Sequence, residues 1–156
     1  MKVYIASFFA NKDVVKAYGE ELKTLGIEPT MRWPLETGPH NMAVKDVTDE
    51  YHRETAVADL ADIIAADTMV MLIPNDTQMA DQPIRSMARG GRHFETGFFY
   101  GLMTLGVLQK TLVLVGPREN VFHFLDGQSV TKIWPAIQHF DTWEQAKTYL
   151  EGKNRG

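Results

Sequence analysis

Apolar residues alternate along this chain between two patterns. Unbroken runs of apolar, aromatic and β-branched residues lie at 2–7 (KVYIAS), 68–73 (TMVMLI) and 111–115 (TLVLV). Each has the length of a strand buried on both faces. Between these runs the apolar positions recur at helical spacing. Across 11–25 they are Val14, Tyr18, Leu22 and Leu25, with Gly26 as the stop signal. Residues 55–66 form an alanine-rich helical stretch, and Phe94, Phe98, Leu102 and Leu105 mark a further helix. A weaker strand is expected over 27–33 and a last one over 136–140. Asp141-Thr142-Trp143-Glu144 then has the spacing of a capping box that opens a C-terminal helix. Pro34, Gly38, Pro39 and Asn41 make the stretch through Val47 a long loop, and 75–91 reads as a second one. Gly116-Pro117 closes the strand before it.

Strands alternating with helices, the central ones apolar throughout, imply a parallel sheet covered on both faces. The expected fold is a doubly wound, Rossmann-like or flavodoxin-like α/β domain of about five strands, one domain over 1–156. In such sheets ligands bind beyond the carboxyl ends of the strands. The loops after Ser7, Trp33, Ile73 and Val115 should therefore surround one pocket.

Composition narrows the chemistry. The 156 residues carry a net charge of −4, which argues against a partner that is a nucleic acid polymer. The absence of cysteine excludes disulfides, thiol catalysis and cysteine-based zinc sites. No run has the length of a membrane span and no signal-peptide pattern opens the chain, so a cytoplasmic protein without a membrane partner is expected. His40, His52, His93, His123 and His139 show no paired ligand spacing, and no metal is expected. Neither a P-loop nor a dinucleotide fingerprint occurs, and Ser7 and Ser86 lack a nucleophile elbow. The eight methionines, and Gly97 and Gly101 in a G-x-x-x-G spacing, read as tight core packing.

One stretch carries candidate chemistry: GGRHFETGFFYGL, residues 90–102. A helix beginning near Gly91 or Arg92 places Glu95 in its first turn, where free N–H groups and the helix dipole keep a carboxylate ionised. Ordinary helix electrostatics accounts for such an acid. So does a functional role, because Phe98 and Phe99 border it and the glycine pair permits close approach by a ligand. An ionised carboxylate in a partly apolar pocket is suited to attack an electrophilic carbon or to stabilise a cation. Arg89, Arg92 and His93 make the head of this helix basic, an anion site if they converge and a solvated surface if they do not.

MKVYIASFF at the start, ADLADIIAADTMVMLIP in the middle, and GGRHFETGFFYGL with KTLVLVGPRENVFHFL resemble the nucleoside 2-deoxyribosyltransferase family and its N-glycosidase relatives. The most specific part is the E-x-G-x-x-x-G helix followed by a buried strand and the G-P-R-E-N loop, and the resemblance runs to about Leu125. It implies the doubly wound fold, no metal or organic cofactor, and Glu95 as a nucleophile attacking C1′ of a 2′-deoxynucleoside. It also implies that Asp59 protonates or supports the leaving base; on helical spacing alone Asp59, Asp62 and Asp67 equally read as solvating a helix face and its exit, and Asp62 is expected to do so. Ser7, Phe8 and Phe9 would line the base and sugar pocket, where the aromatics either stack on the base or pack in the core. Trp33 would stand beside the pocket or in the core, and Asp76 would contact the base or make a loop turn. Gly91, Arg92 and His93 would meet substrate at the helix head. Glu119 and Asn120 would bind sugar hydroxyls, on a segment that in the family can reach a neighbouring subunit's site, which implies a homo-oligomer with shared active sites. The partners would be a nucleoside or nucleotide and a free nucleobase. Arg89 stands where several family members carry an aspartate about six residues before the nucleophile. That departure keeps open a nucleoside 5′-monophosphate N-glycosidase, and a non-catalytic nucleotide-sensing module is the reading of another class.

Overall fold

A computed structural model describes residues 1–35, 48–74, 89–106, 109–126 and 134–156. Asp76, His40 and Ser86 lie outside the described residues, as do the side chains of Phe9 and Arg89. Five strands form one parallel sheet: β1 Lys2–Ala6, β2 Glu28–Pro29, β3 Thr68–Leu72, β4 Thr111–Val115 and β5 Gln138–Phe140, in the order β2-β1-β3-β4-β5. The helices are α1 Lys12–Thr24, α2 Asp49–Ala65, α3 Arg89–Thr104 and α4 Trp143–Arg155. This is the doubly wound α/β fold expected from the pattern.

The central strands need no alternation because they are covered twice. Val3, Tyr4, Ile5 and Ala6 of β1 and all five residues of β3 are buried, and β1 pairs with β3 from Val3↔Thr68 to Ala6↔Met71. The chain runs outward from β1 to β2, then back across β1 to β3 and on to β4. Right-handed crossovers therefore set α1 on one face and α2 and α3 on the other. On the first face α1 meets α4, where Tyr18 stacks on Trp143 with ring centroids 4.1 Å apart and Glu21 accepts from Trp143 Nε1 and Lys147. On the second face α2 packs beside α3. The strand order reverses between β1 and β3, which sets the expected ligand crevice at their carboxyl ends.

Several elements differ in detail from the pattern. Helix α1 buries Val15, Gly19 and Leu22 while Val14 is 40 % exposed, so its inner face is turned by one residue from the one expected. Its end is as read: Gly26, at φ 71°, donates to Lys23 O and Ile27 to Leu22 O, a Schellman closure. Strand β2 shrinks to two residues, since Pro29 has no N–H to extend a ladder, and Trp33–Leu35 form a 3₁₀ turn instead of strand. Helix α2 starts six residues before the alanine-rich stretch, at Asp49, with Thr48 Oγ1 accepting from Tyr51 N. The C-terminal capping box is one residue later than expected, formed by Thr142 and Gln145. Gly97 and Gly101 are not tight contacts, because nothing lies within 4 Å of a Cβ built at either. No described helix is long and apolar enough to cross a membrane.

Gly116 is the glycine the fold requires. Its φ is +112°, and an added Cβ would lie 2.3 Å from Ile73 O. The turn that leaves β4 thus crosses directly over the end of β3, beside the crevice. Gly116→Ala is expected to cost on the order of 2–3 kcal/mol of unfolding free energy, measurable by urea denaturation.

Candidate active site

Helix α3 begins at Arg89, earlier than expected, so Glu95 stands in the second turn and no acid occupies the first. Its backbone N–H is already inside the helix, and the dipole that would have held its charge has faded there. What surrounds the carboxyl decides its state instead. Tyr4 Oη, from the middle of β1, donates to Glu95 Oε1 at 3.2 Å. Burial, and next the charge of Asp59 on α2, push the Glu95 pKa up to about 7, while the Tyr4 bond pulls it down. The expectation of a firmly ionised acid is therefore corrected: near neutral pH the carboxyl is divided between its two forms. Burial also pushes the Tyr4 phenol far up, with the Glu95 charge adding to it, so Tyr4 stays a donor. Three elements converge on one carboxyl that is only partly exposed.

This arrangement makes two opposed predictions for the pH dependence of kcat/KM, which follows the free enzyme. Removing the donor in Tyr4→Phe raises the Glu95 pKa and moves the acid limb of the profile to higher pH. Removing the neighbouring charge in Asp59→Asn lowers it and moves the limb to lower pH.

A second cluster lies at the head of α3. Arg92, expected to be solvated or to hold an anion, is 2 % exposed, and its Nη2 donates to Glu119 Oε1 at 2.7 Å and Oε2 at 2.9 Å. His93 Nε2 stands 3.6 Å from Glu119 Oε2. The turn after β4 is tied within itself. Glu119 N donates to His123 Nδ1 at 3.1 Å, Asn120 Oδ1 accepts from Phe122 N at 2.9 Å, and Arg118 binds both carboxylate oxygens of Asp126 and the carbonyl of His123. Burial pushes the pKa of both His93 and His123 down, so both imidazoles are neutral at pH 7. His93, Glu119 and His123 bring three ligating atoms within 4.8 Å of one another, a convergence their sequence spacing did not reveal. Arg92 already occupies Glu119, and a backbone N–H already takes the Nδ1 lone pair of His123, so the protein itself uses this donor set.

No family model and no curated protein matches the sequence. Among solved structures, a 2-deoxyribosyltransferase from the psychrotolerant bacterium Bacillus psychrosaccharolyticus superposes with a TM-score of 0.56 at 20 % identity. The match covers 96 % of this chain and 92 % of that one. The chain shares the 2-deoxyribosyltransferase fold. Within that fold the remaining expected residues fall as follows. Ser7 Oγ accepts from Asn11 Nδ2 at 3.1 Å at the exit of β1. Phe8 and Trp33 are 6 % and 8 % exposed, and Trp33 Nε1 donates to Ile5 O. Gly91 is exposed with open space around it. Asp62, expected on a solvated face, is buried and accepts from both the backbone N and Nε of Arg32, tying α2 to the segment after β2. Tyr4 is the site residue that sequence reasoning missed: it sits in an apolar strand run, where a tyrosine looks like any other core residue. Its one signal was a hydroxyl on a strand beside the topological switch point.

Proposed function

We propose that the chain cleaves and re-forms the N-glycosidic bond of 2′-deoxynucleosides, exchanging one base for another through an ester on Glu95. The single observation that carries this reading is the Glu95 carboxyl, held by a β1 tyrosine and facing an α2 aspartate in a 2-deoxyribosyltransferase fold. In the first step the Glu95 carboxylate attacks C1′, the C1′–N bond breaks, and the base leaves with the bonding electron pair and takes up a proton. Asp59 on α2 is the group assigned to hand that proton to the base. In the second step a nitrogen of the incoming base attacks C1′, the ester bond breaks to restore the Glu95 carboxylate, and the incoming base returns its proton to Asp59. Tyr4 donates to the carboxylate in the free enzyme and orients one oxygen, leaving the other for C1′.

Asn120, on the turn beyond β4, is the proposed sugar contact. Val121, Phe122 and Phe124 follow it at 76 %, 71 % and 62 % exposure, and this apolar tip supports a homo-oligomer in which the turn meets a neighbouring subunit. The experiment is chromatographic: the protein is incubated with deoxynucleosides and their 5′-monophosphates, each with and without a second free base. A new deoxynucleoside formed only when the second base is present supports the transferase. Free base released from monophosphates alone points to hydrolysis, and binding without turnover points to a sensing module.

A further inference from the structure

Arg92 and Glu119 were expected among the groups that touch substrate, yet each has the other as its partner. The pair spans the space between the nucleophile's helix and the turn after β4. Glu95 lies three residues beyond Arg92 on α3, and Asn120 directly follows Glu119. The turn is internally braced by the Asn120 cap on Phe122, the His123 contact with Glu119 N, and the Arg118–Asp126 clamp. The Arg92–Glu119 contact ties this turn to α3.

As a device for stability the pair is poor. Arg92 is almost fully buried, but among the described residues its Nε and Nη1 have no hydrogen-bond partner. Three of a guanidinium's five donors are thus buried with no partner among the described residues. Two apolar side chains of similar volume would fill the same space at no such cost. What they would not supply is a directed contact: Arg92 Nη2 donates to both oxygens of the Glu119 carboxylate, at 2.7 and 2.9 Å, which ties the turn to α3 at one point.

We propose that Arg92 and Glu119 are positioning residues for the Glu95 reaction, holding the Asn120 turn at a set distance from the nucleophile rather than contacting substrate. The proposal rests on the deoxyribosyl-transfer reading. Its physical basis is that a displacement of about 1 Å at a reacting centre costs on the order of 100-fold in rate, whereas binding is less sensitive.

The test is the double variant Arg92→Met/Glu119→Leu. Its Tm is expected at or above that of the wild type, with kcat for base exchange reduced about 100-fold, KM changed by less than about 3-fold, and the pH limb of kcat/KM unmoved. Arg92→Lys, which keeps the charge but moves the donor onto a shorter, more flexible side chain, is expected to lose about 10-fold in kcat and serves if the double variant does not fold. A raised KM at unchanged kcat would make the pair a substrate contact, and unchanged kinetics would make it merely structural; either result overturns the proposal. Amide hydrogen exchange separates this failure from that of the underlying reading. Exchange over residues 118–126 is expected to rise at least about 10-fold in either variant while the buried strands keep their protection. Unchanged exchange overturns the positioning role even if the wild type proves to have no transfer activity, and raised exchange in an inactive wild type overturns only the assigned reaction.

Discussion

Glu95→Gln is expected to form no measurable new deoxynucleoside, a loss of at least about a thousandfold in turnover. The amide keeps the shape of the side chain and still accepts from Tyr4, so the surroundings of position 95 remain built. What it lacks is the negative oxygen that, in the proposed reaction, forms the bond to C1′ and stabilises the positive charge developing on the sugar ring. Affinity for a deoxynucleoside should change little, because the substitution removes a group used in the transition state more than in the ground state. Calorimetric titration beside the chromatographic assay checks both halves. A variant that still exchanges bases would remove Glu95 from the mechanism.

The same substitution is expected to make the protein more stable, in a manner that depends on pH. The folded-state pKa of Glu95 is about 7, against an ordinary value of 4.5, chiefly because burial disfavours the charge. The folded protein therefore holds a proton more tightly than the unfolded chain does. Between pH 4.5 and 7 the unfolded state has released that proton, so the wild type loses stability as pH rises through this window, and the whole penalty is present above it. Glu95→Gln has no such penalty. Its unfolding free energy should exceed that of the wild type by up to about 3 kcal/mol at pH 8, with the difference vanishing near pH 4. Urea denaturation at the two pH values measures it. An equal gain at both would attribute the effect to packing rather than to charge. A buried acid whose removal stabilises the fold is the usual sign of a site shaped for chemistry at the expense of stability.

The layering of the molecule was legible in the sequence because its physical cause is local. Unbroken apolar runs such as TMVMLI can be satisfied only by cover on both faces, and β3 is buried throughout. Edges were less legible for equally physical reasons. Val14 and Val15 are adjacent and identical, so periodicity alone could not choose between them, and packing against the sheet chose Val15. The polar start of α2, DEYHRE, has no apolar rhythm, and its signals were the Thr48 cap and the acids of the first turn. Proline cut short the second strand.

The site divides along the same line. Glu95 could be singled out because its neighbours in the sequence are glycines and aromatics, which is local information. Its charge state could not, because it is set by Tyr4, 91 residues away, and by Asp59 on another helix. The fates of Asp62 and Arg92 were hidden for the same reason. Each is a charged residue on a helix, and only tertiary contact with Arg32 or Glu119 reveals that it is buried and paired. Asn120 was visible through its motif, whereas the bracing of its turn by His123 and Arg118 depends on how the chain folds back after β4.

The central claim is covalent transfer through Glu95, and peptide mass mapping tests it most directly. Wild-type protein is mixed with a deoxynucleoside in the absence of an acceptor base, quenched in acid and digested. The account predicts one added deoxyribosyl group on the peptide containing Glu95, lost when a second base is supplied before quenching and absent from Glu95→Gln. Base exchange in the wild type with no sugar ever found on that peptide would contradict it.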